Sequence, residues 1–131
     1  MMVTPLNPQV LIVDDDAFVR VFLKDALEGG NYRFLEAADG EEAVEKAQAS
    51  QPDVVLLDLF MPKQSGLEAL SRLRQVTPDS RVVVISSLDS ESLVQQALEA
   101  GALGFISKPF HPMEIVSAVR QALAGSVEQR S

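Results

Sequence analysis

The sequence has no cysteine and only one histidine among its 131 residues. Disulfide bonds and thiolate metal sites are therefore excluded, and the composition suits a reducing cytoplasm, where we expect the protein to be located. Basic residues are also scarce, with 11 Lys and Arg against 19 Asp and Glu, which gives a formal net charge of -8. Direct binding of nucleic acid needs a basic surface, so this acidic balance argues against that function.

Long apolar runs are missing as well. The first run, Val10–Val13, has no positively charged segment before it and is too short for a signal peptide or a membrane span. The chain also lacks low-complexity segments and internal repeats. Its length predicts a single domain, 1–131, that can bury a core without disulfides or metals. We expect the core over about residues 9–124, and then a short polar tail, 125–131, that leaves no room for an output domain.

Strand-like and helix-like patterns alternate five times. The expected strands are Gln9–Val13, Arg33–Ala37, Asp53–Leu57, Arg81–Ile85 and Gly104–Ser107, and the expected helices are about Ala17–Glu28, Gly40–Ala49, Leu67–Gln75, Ser90–Ala100 and Pro112–Ala124. Short, purely apolar runs between polar residues are typical of strands that are buried on both faces. Five such units with short loops predict an α/β fold, in which a doubly wound five-stranded parallel sheet carries helices on both faces.

Carboxylates stand where two of these strands end. Asp58 directly follows the third strand, and Asp14, Asp15 and Asp16 follow the first. Ligands of parallel sheets bind beyond the carboxyl ends of the strands, so we expect Asp14, Asp15 and Asp58 to converge there. Carboxylates that lie so close repel one another, and Mg²⁺, which prefers oxygen ligands, would offset the repulsion. Acidic residues are also ordinary at helix starts, and a helix cap is the role we expect for Asp16.

Two further polar residues stand at the same edge. Ser86 follows the fourth strand and Lys108 follows the fifth. A lysine there can pair with a carboxylate and with a phosphoryl oxygen, and a hydroxyl can donate a hydrogen bond to that same oxygen. Each residue alone has an ordinary explanation, because lysines are mostly solvated and serines commonly end strands. Together with the carboxylates, they indicate a phosphoryl-transfer site with Asp58 as the nucleophile.

These motifs resemble those of receiver domains in bacterial two-component signalling, especially the single-domain chemotaxis-type response regulators. The resemblance extends from Val10 to Leu123. It rests on Val13–Asp15, on Leu57–Pro62 with Gly66 downstream, on Ile85–Ser87, on Ala100–Ala102 with Gly104 and Phe105, and on Lys108–Phe110. The resemblance implies a flavodoxin-like fold with five helices and the strand order 2-1-3-4-5.

The resemblance also implies a phosphoacceptor and a metal site. Asp58 would be the residue that is phosphorylated. Asp14 and Asp15 would bind Mg²⁺, and Asp58 and the backbone carbonyl of Phe60 would complete the protein ligands. The family therefore implies the same ion that the chemistry of the carboxylates favours.

The same resemblance implies a conformational switch. Ser86 would bond the phosphoryl group, Lys108 would contact the phosphorylated or metal-loaded site, and Phe105 would turn inward when Ser86 moves. The Lys108-Pro109 peptide bond is often cis in this family. The face formed by the fourth helix, fifth strand and fifth helix would then signal to a downstream protein or output domain.

The phosphodonor must be another protein. His111, the single histidine, is expected at a helix start, so the implied donor is a sensor histidine kinase or a histidine phosphotransfer protein. No membrane insertion is expected. The chain would not be an enzyme with turnover, because it would catalyse only its own phosphorylation and its slow self-dephosphorylation. We expect self-dephosphorylation to be slow because the apolar side chains of Phe60 and Leu88 should hinder the approach of water. Alternatively, these two side chains only pack one loop against another.

Two other classes of protein share parts of this pattern. An aspartate-nucleophile, Mg²⁺-dependent phosphatase of the haloacid dehalogenase type also uses a lysine, but it has a second Asp two residues after the nucleophile. Phe60 stands at that place here. A flavodoxin-like FMN carrier has the same topology, but Asp14, Asp15 and Asp16 would repel its phosphate. A receiver fold that is never phosphorylated is disfavoured, because no site residue is missing.

Overall fold

A parallel sheet of five strands organises the chain. The computed structural model describes residues 7–61 and 65–128. Its strands are β1 (Gln9–Val13), β2 (Arg33–Ala37), β3 (Val54–Leu57), β4 (Arg81–Ser86) and β5 (Gly104–Ser107), and its helices are α1 (Ala17–Ala26), α2 (Gly40–Ser50), α3 (Gly66–Val76), α4 (Glu91–Glu99) and α5 (Pro112–Glu128). The strand order is β2-β1-β3-β4-β5, which confirms the predicted fold. Across the described ranges, no helix has the length and apolar character that a membrane span requires.

The core consists of two layers, one on each side of the sheet, because successive strand residues point to opposite faces. One layer joins α2, α3 and α4 to Leu11, Val13, Val55, Leu57, Val82 and Val84. The other joins α1 and α5 to Val10, Ile12, Val54, Leu56, Val83 and Ile85. All twelve strand residues are at most 2% exposed. Burial on both faces explains why β1, β3 and β4 are continuous apolar runs in the sequence.

The strand register determines which residues reach the edge of the sheet together. Val13 of β1 pairs with Leu57 of β3, and the Asp58 N–H donates to the Val13 carbonyl at 3.0 Å. Asp14 and Asp58 are therefore the first residues beyond two adjacent strands. Leu57 also pairs with Val84 of β4, so β4 continues by two residues beyond that level and ends on Ser86.

Two helix ends differ from the expected ones by more than one residue. Helix α1 ends at Ala26 rather than Glu28, because the chain turns at Gly29, which has a φ of 94°. Helix α5 continues to Glu128, so the expected polar tail does not begin at Gly125. One glycine costs a helix only about 1 kcal/mol, and no proline follows to stop it. The last part of the expected tail, 129–131, and residues 62–64 of the expected loop before α3 lie outside the described residues.

Gly66 at the start of α3 lies against the loop that follows Asp58. A Cβ atom on Gly66 would lie 2.3 Å from both the Cα and the carbonyl oxygen of Leu59. Backbone atoms cannot move aside as a flexible side chain can, so we expect Gly66→Ala to destabilise the protein by about 1–3 kcal/mol. Urea denaturation measures this effect. Gly104→Ala is the control, because its Cβ would meet only Val83 Cγ1 at 3.9 Å; equal stability of the two variants would contradict the prediction.

Candidate functional site

Three carboxylates meet at the carboxyl edge of the sheet. Oxygen atoms of Asp14, Asp15 and Asp58 all lie within 4.8 Å of one another. Asp14 and Asp58 are only 2% and 5% exposed, whereas Asp15 is exposed. Asp16 does not join them, because its Oδ1 accepts a hydrogen bond from the Phe18 N–H at 2.9 Å and caps α1. The structure thus brings together the three carboxylates that the sequence predicts to converge, and it gives Asp16 the predicted cap.

Lys108 lies between the two buried carboxylates. Its Nζ is 2.9 Å from Asp14 Oδ2 and 3.6 Å from Asp58 Oδ2. The backbone fixes this position, since the Lys108 N–H donates to the Ser86 carbonyl at 2.9 Å. The Lys108-Pro109 peptide bond is cis. One ammonium group therefore faces three carboxylates, and part of their negative charge stays uncompensated.

The pKa values of the site reflect this imbalance. Burial raises the pKa of Asp58, and the negative charges of Asp14 and Asp15 add to the increase, which outweighs the opposing effects of the Phe60 N–H and Lys108. Burial by itself would lower the pKa of Lys108. The hydrogen bond and charge of Asp14, together with Asp58, exceed that effect and raise it. Negative charge is thus unfavourable at Asp58, and positive charge is favoured around it.

The donor set fits a hard divalent cation. Carboxylate oxygens are the ligands that Mg²⁺ prefers, and the ion is typically held by one or two carboxylates together with water or substrate oxygens. Asp14 already accepts from the Asp16 N–H at 2.9 Å through Oδ1 and from Lys108 through Oδ2. Asp15 is exposed, and its carboxylate faces the same space. The site therefore has both the ligand chemistry and the uncompensated charge that Mg²⁺ requires.

Ser86 ends β4, the strand next to β3 and Asp58, and Phe105 lies on β5, the strand beyond β4. Ser86 is fully buried, and its Oγ accepts a hydrogen bond from the Leu88 N–H at 3.1 Å. A hydroxyl that accepts one bond still has its proton to donate. Phe105 of β5 is level with Val84 and packs against the core layer of α2, α3 and α4. Ser86 is thereby linked to the loop after β4, and Phe105 is half-buried on the neighbouring strand.

Two apolar side chains are exposed at the rim of the site. Phe60 is 66% exposed and Leu88 is 49% exposed. Their backbones touch the site directly, because the Phe60 N–H donates to Asp58 Oδ1 at 3.1 Å and the Leu88 N–H donates to Ser86 Oγ. Neither side chain belongs to the core, so the loops after β3 and β4 each expose one large apolar side chain close in the chain to Asp58 and Ser86.

A basic residue that was not predicted from the sequence, Arg20, also contacts the site. Arg20 donates from Nη1 to the backbone carbonyl of Asp14 at 2.6 Å and from Nε to Glu36 Oε1 at 2.8 Å. Lys24 pairs with the second oxygen of Glu36 at 2.7 Å. A signal was available, because Arg20 and Lys24 are four residues apart on one helix face and Glu36 interrupts an apolar strand.

His111 has the structural role that its position predicts. Its Nδ1 accepts from the Met113 N–H at 3.1 Å, and its own N–H donates to Glu114 Oε1 at 2.8 Å. The return of the Glu114 side chain to the His111 N–H is one half of a capping box, and the His111 ring satisfies the N–H of Met113. His111 thus caps α5, which begins at Pro112.

Comparisons with known proteins agree with this geometry. The family model of the response regulator receiver domain matches residues 10–120. Chemotaxis protein CheY of Thermotoga maritima is 38% identical over 117 residues, which are 88% of this chain and 98% of that protein. Transcriptional activator protein ExaE of Pseudomonas putida is 43% identical over 120 residues, which are 88% of this chain and 55% of that longer protein. A solved CheY-like receiver domain protein from Methanospirillum hungatei has a TM-score of 0.88 at 25% identity, covering 94% of this chain and 98% of that one.

Proposed function

Because the chain belongs to the response regulator receiver family of two-component signalling, we propose that it accepts a phosphoryl group on Asp58 from a phosphohistidine. The observation that carries the proposal is the position of Asp58, which is buried at the end of the central strand with Asp14, Asp15 and Lys108 around it. Perturbed carboxylates in such surroundings are typical of functional sites. The donor would be a sensor histidine kinase or a histidine phosphotransfer protein, in the cytoplasm.

The reaction is an in-line displacement at phosphorus. A carboxylate oxygen of Asp58 attacks, the new O–P bond forms as the P–N bond of phosphohistidine breaks, and the imidazole nitrogen keeps the electron pair. The Phe60 N–H, which donates to Asp58 Oδ1, holds the carboxylate in one orientation. Lys108 lies 3.6 Å from Asp58 Oδ2, close enough to neutralise charge on the transferred group. Ser86 would donate its hydroxyl proton to a phosphoryl oxygen.

The metal ligands in this proposal are Asp14, Asp15, Asp58 and the backbone carbonyl of Phe60. Bound there, Mg²⁺ would supply positive charge that lets phosphoryl oxygens approach the carboxylates. The chain supplies the rest: Lys108 holds the Asp14 carboxylate in place through a 2.9 Å ion pair, and burial keeps bulk water from Asp58.

We propose that phosphorylation is transmitted through the loop after β4. A phosphoryl group would draw Ser86 toward it, and the Leu88 N–H, which is bonded to Ser86 Oγ, would move with it. Phe105 would then turn into the space that Ser86 leaves. The face formed by α4, β5 and α5 would change shape and contact a downstream protein or an output domain. Such a switch is a two-state equilibrium that a local change in charge biases.

In this proposal, the protein converts no external substrate. It catalyses only its own phosphorylation and a slow self-dephosphorylation. An aspartate-nucleophile phosphatase needs an acidic side chain two residues after the nucleophile to protonate its leaving group, and Phe60 has none. The geometry therefore favours a phosphoprotein in a relay over a phosphatase.

Mg²⁺ binding tests the proposed site. We expect Asp15→Asn to lose most of its Mg²⁺ affinity, since it loses the exposed carboxylate of the cluster, and to accept much less phosphoryl group from acetyl phosphate. Calorimetric titration and intact-protein mass spectrometry measure the two effects. Asp16→Asn is the matched control, because Asn caps a helix as well as Asp does and Asp16 caps α1. If Asp15→Asn binds Mg²⁺ as tightly as the wild type, the metal site is elsewhere.

The lifetime of the phosphorylated form tests the role of the rim. Hydrolysis needs a water in line with the scissile bond, and Phe60 and Leu88 offer apolar surface but no group to orient water. We expect the acyl phosphates of Phe60→Asn and Leu88→Glu to hydrolyse about tenfold faster than that of the wild type, which corresponds to about 1.4 kcal/mol in the barrier. Loss of the acyl phosphate is followed after the donor is removed. Val21→Glu, which changes a side chain 48% exposed on α1, is the control; wild-type decay in both rim variants would show that these side chains do not limit the access of water.

A further inference from the structure

The backbone N–H and the backbone carbonyl of Asp14 both form hydrogen bonds that connect Asp14 to β2. The Asp14 N–H donates to the Ala37 carbonyl at 3.1 Å. The Asp14 carbonyl accepts from Arg20 Nη1 at 2.6 Å. Arg20 itself is fixed to Glu36, the residue next to Ala37, through a 2.8 Å ion pair. The end of β2 therefore holds Asp14 twice, once directly and once through Arg20.

The Arg20 contact sets more than the position of Asp14. The carbonyl that Arg20 holds belongs to the peptide group that joins Asp14 to Asp15, so its orientation determines where the Asp15 side chain points. Asp15 is exposed, and packing therefore does little to fix its direction. Arg20, by contrast, is largely covered, with 17% of its side chain exposed. A covered guanidinium with two partners can hold that peptide in one orientation, because its planar fork loses little freedom on binding.

We infer that Arg20 is a positioning residue of the phosphotransfer site: it fixes the peptide after Asp14 so that Asp15 faces the other carboxylates, and Glu36 aligns it. The inference rests on the proposed function, because it assigns Arg20 a role toward the same metal ligands. Glu36 is suited to this role, since hydrogen bonds from Lys24 and Arg20 lower its pKa and keep it ionised. Replacing a residue that orients a metal ligand through a hydrogen bond typically weakens metal binding by about 10–100-fold.

Lys24 provides a control within the same network. It binds Glu36 Oε2 at 2.7 Å, as Arg20 binds Oε1, but among the described residues Lys24 donates to Glu36 and not to Asp14. A role limited to stabilising α1 against β2 would make Arg20 and Lys24 equivalent. A positioning role would make them differ, because only Arg20 reaches the site. The comparison of Arg20→Met with Lys24→Met therefore separates the two.

The experiment measures Mg²⁺ affinity by calorimetric titration in the full chain. We expect Arg20→Met to bind Mg²⁺ about tenfold more weakly, Lys24→Met to bind like the wild type, and Arg20→Lys to recover part of the loss. Glu36→Gln should show a smaller loss than Arg20→Met, and it is the substitute if Arg20→Met does not fold. A readout without metal is amide hydrogen exchange at Asp16, whose N–H donates to Asp14 Oδ1 at 2.9 Å; exchange there should speed up in Arg20→Met and not in Lys24→Met.

The outcomes separate this inference from the proposed function. Equal Mg²⁺ affinity in the wild type, Arg20→Met and Glu36→Gln would overturn the inference, as would equal losses in Arg20→Met and Lys24→Met. In either case a wild type that binds Mg²⁺ and is phosphorylated would leave the proposed function standing. A wild type that binds no Mg²⁺ and accepts no phosphoryl group would contradict both.

Discussion

Asp58→Asn is expected to accept no phosphoryl group from acetyl phosphate and Mg²⁺, whereas the wild type gains one. The amide of Asn has no anionic oxygen to attack phosphorus, and the described residues place no other buried carboxylate at the end of β3. Intact-protein mass spectrometry measures the gain. Asp53→Asn, at the opposite end of β3, is the control and should be phosphorylated normally. An unchanged yield in Asp58→Asn would place the phosphoacceptor on another residue.

The same substitution should stabilise the metal-free protein at neutral pH. Burial raises the pKa of Asp58, so the folded protein holds this proton more tightly than the unfolded chain does. Ionisation of Asp58 therefore lowers the free energy of unfolding. The contribution of Asp58 to stability is fully present below its unfolded pKa and is lost as the pH rises through its folded pKa. Asn resembles the protonated form, so its advantage should disappear at a pH below the unfolded pKa. Urea denaturation at several pH values checks this, and an advantage that is independent of pH would contradict it.

Lys108→Met should have the second largest effect, a loss of folding stability. It leaves Asp14 and Asp58, which are 3% and 6% exposed in their side chains, without their cation. Removing one partner of a buried ion pair costs about 3–5 kcal/mol, and we expect the lower end because Lys108 is 21% exposed. Added Mg²⁺ should restore more stability to Lys108→Met than to the wild type, since it supplies the missing charge.

The control for Lys108→Met is Lys24→Met. Lys24 is also a paired lysine, but its side chain and that of Glu36 are 33% and 37% exposed. A solvated pair of this kind contributes about 0–1 kcal/mol. Thermal and urea denaturation without metal compare the two variants. If they lose the same stability, Lys108 does not act as the counterion of the buried carboxylates.

The sequence predicted the sheet and the acidic site because both depend on local patterns. A parallel strand that is buried on both faces needs a continuous apolar run, as in Val54–Leu57. Such a run also locates the strand end, and with it Asp58. The convergence of Asp14 with Asp58 follows from the register of two adjacent parallel strands. These features could be predicted because each depends on one strand and its nearest neighbour.

Other features depend on packing that no local pattern encodes. Arg20 stands at an ordinary position of an amphipathic helix, and its reach to the Asp14 carbonyl exists only when α1 lies beside β2. The burial of Asp14 beside the exposed Asp15 likewise depends on how α1 leaves the sheet. The extension of α5 to Glu128 was missed because residues 125–131 were predicted to be a polar tail; the helix continues through Gly125, since one glycine is a small penalty in a long helix.

Locating the acyl phosphate is the most direct test of whether Asp58 is the phosphoacceptor. Borohydride reduces an aspartyl phosphate to homoserine, and tandem mass spectrometry of the digested protein identifies the position. After treatment with a phosphohistidine donor or acetyl phosphate, we expect homoserine at the position of Asp58 and nowhere else, and only when Mg²⁺ was present. Homoserine at another aspartate, or a stable phosphoryl group on a serine or on His111, would contradict it.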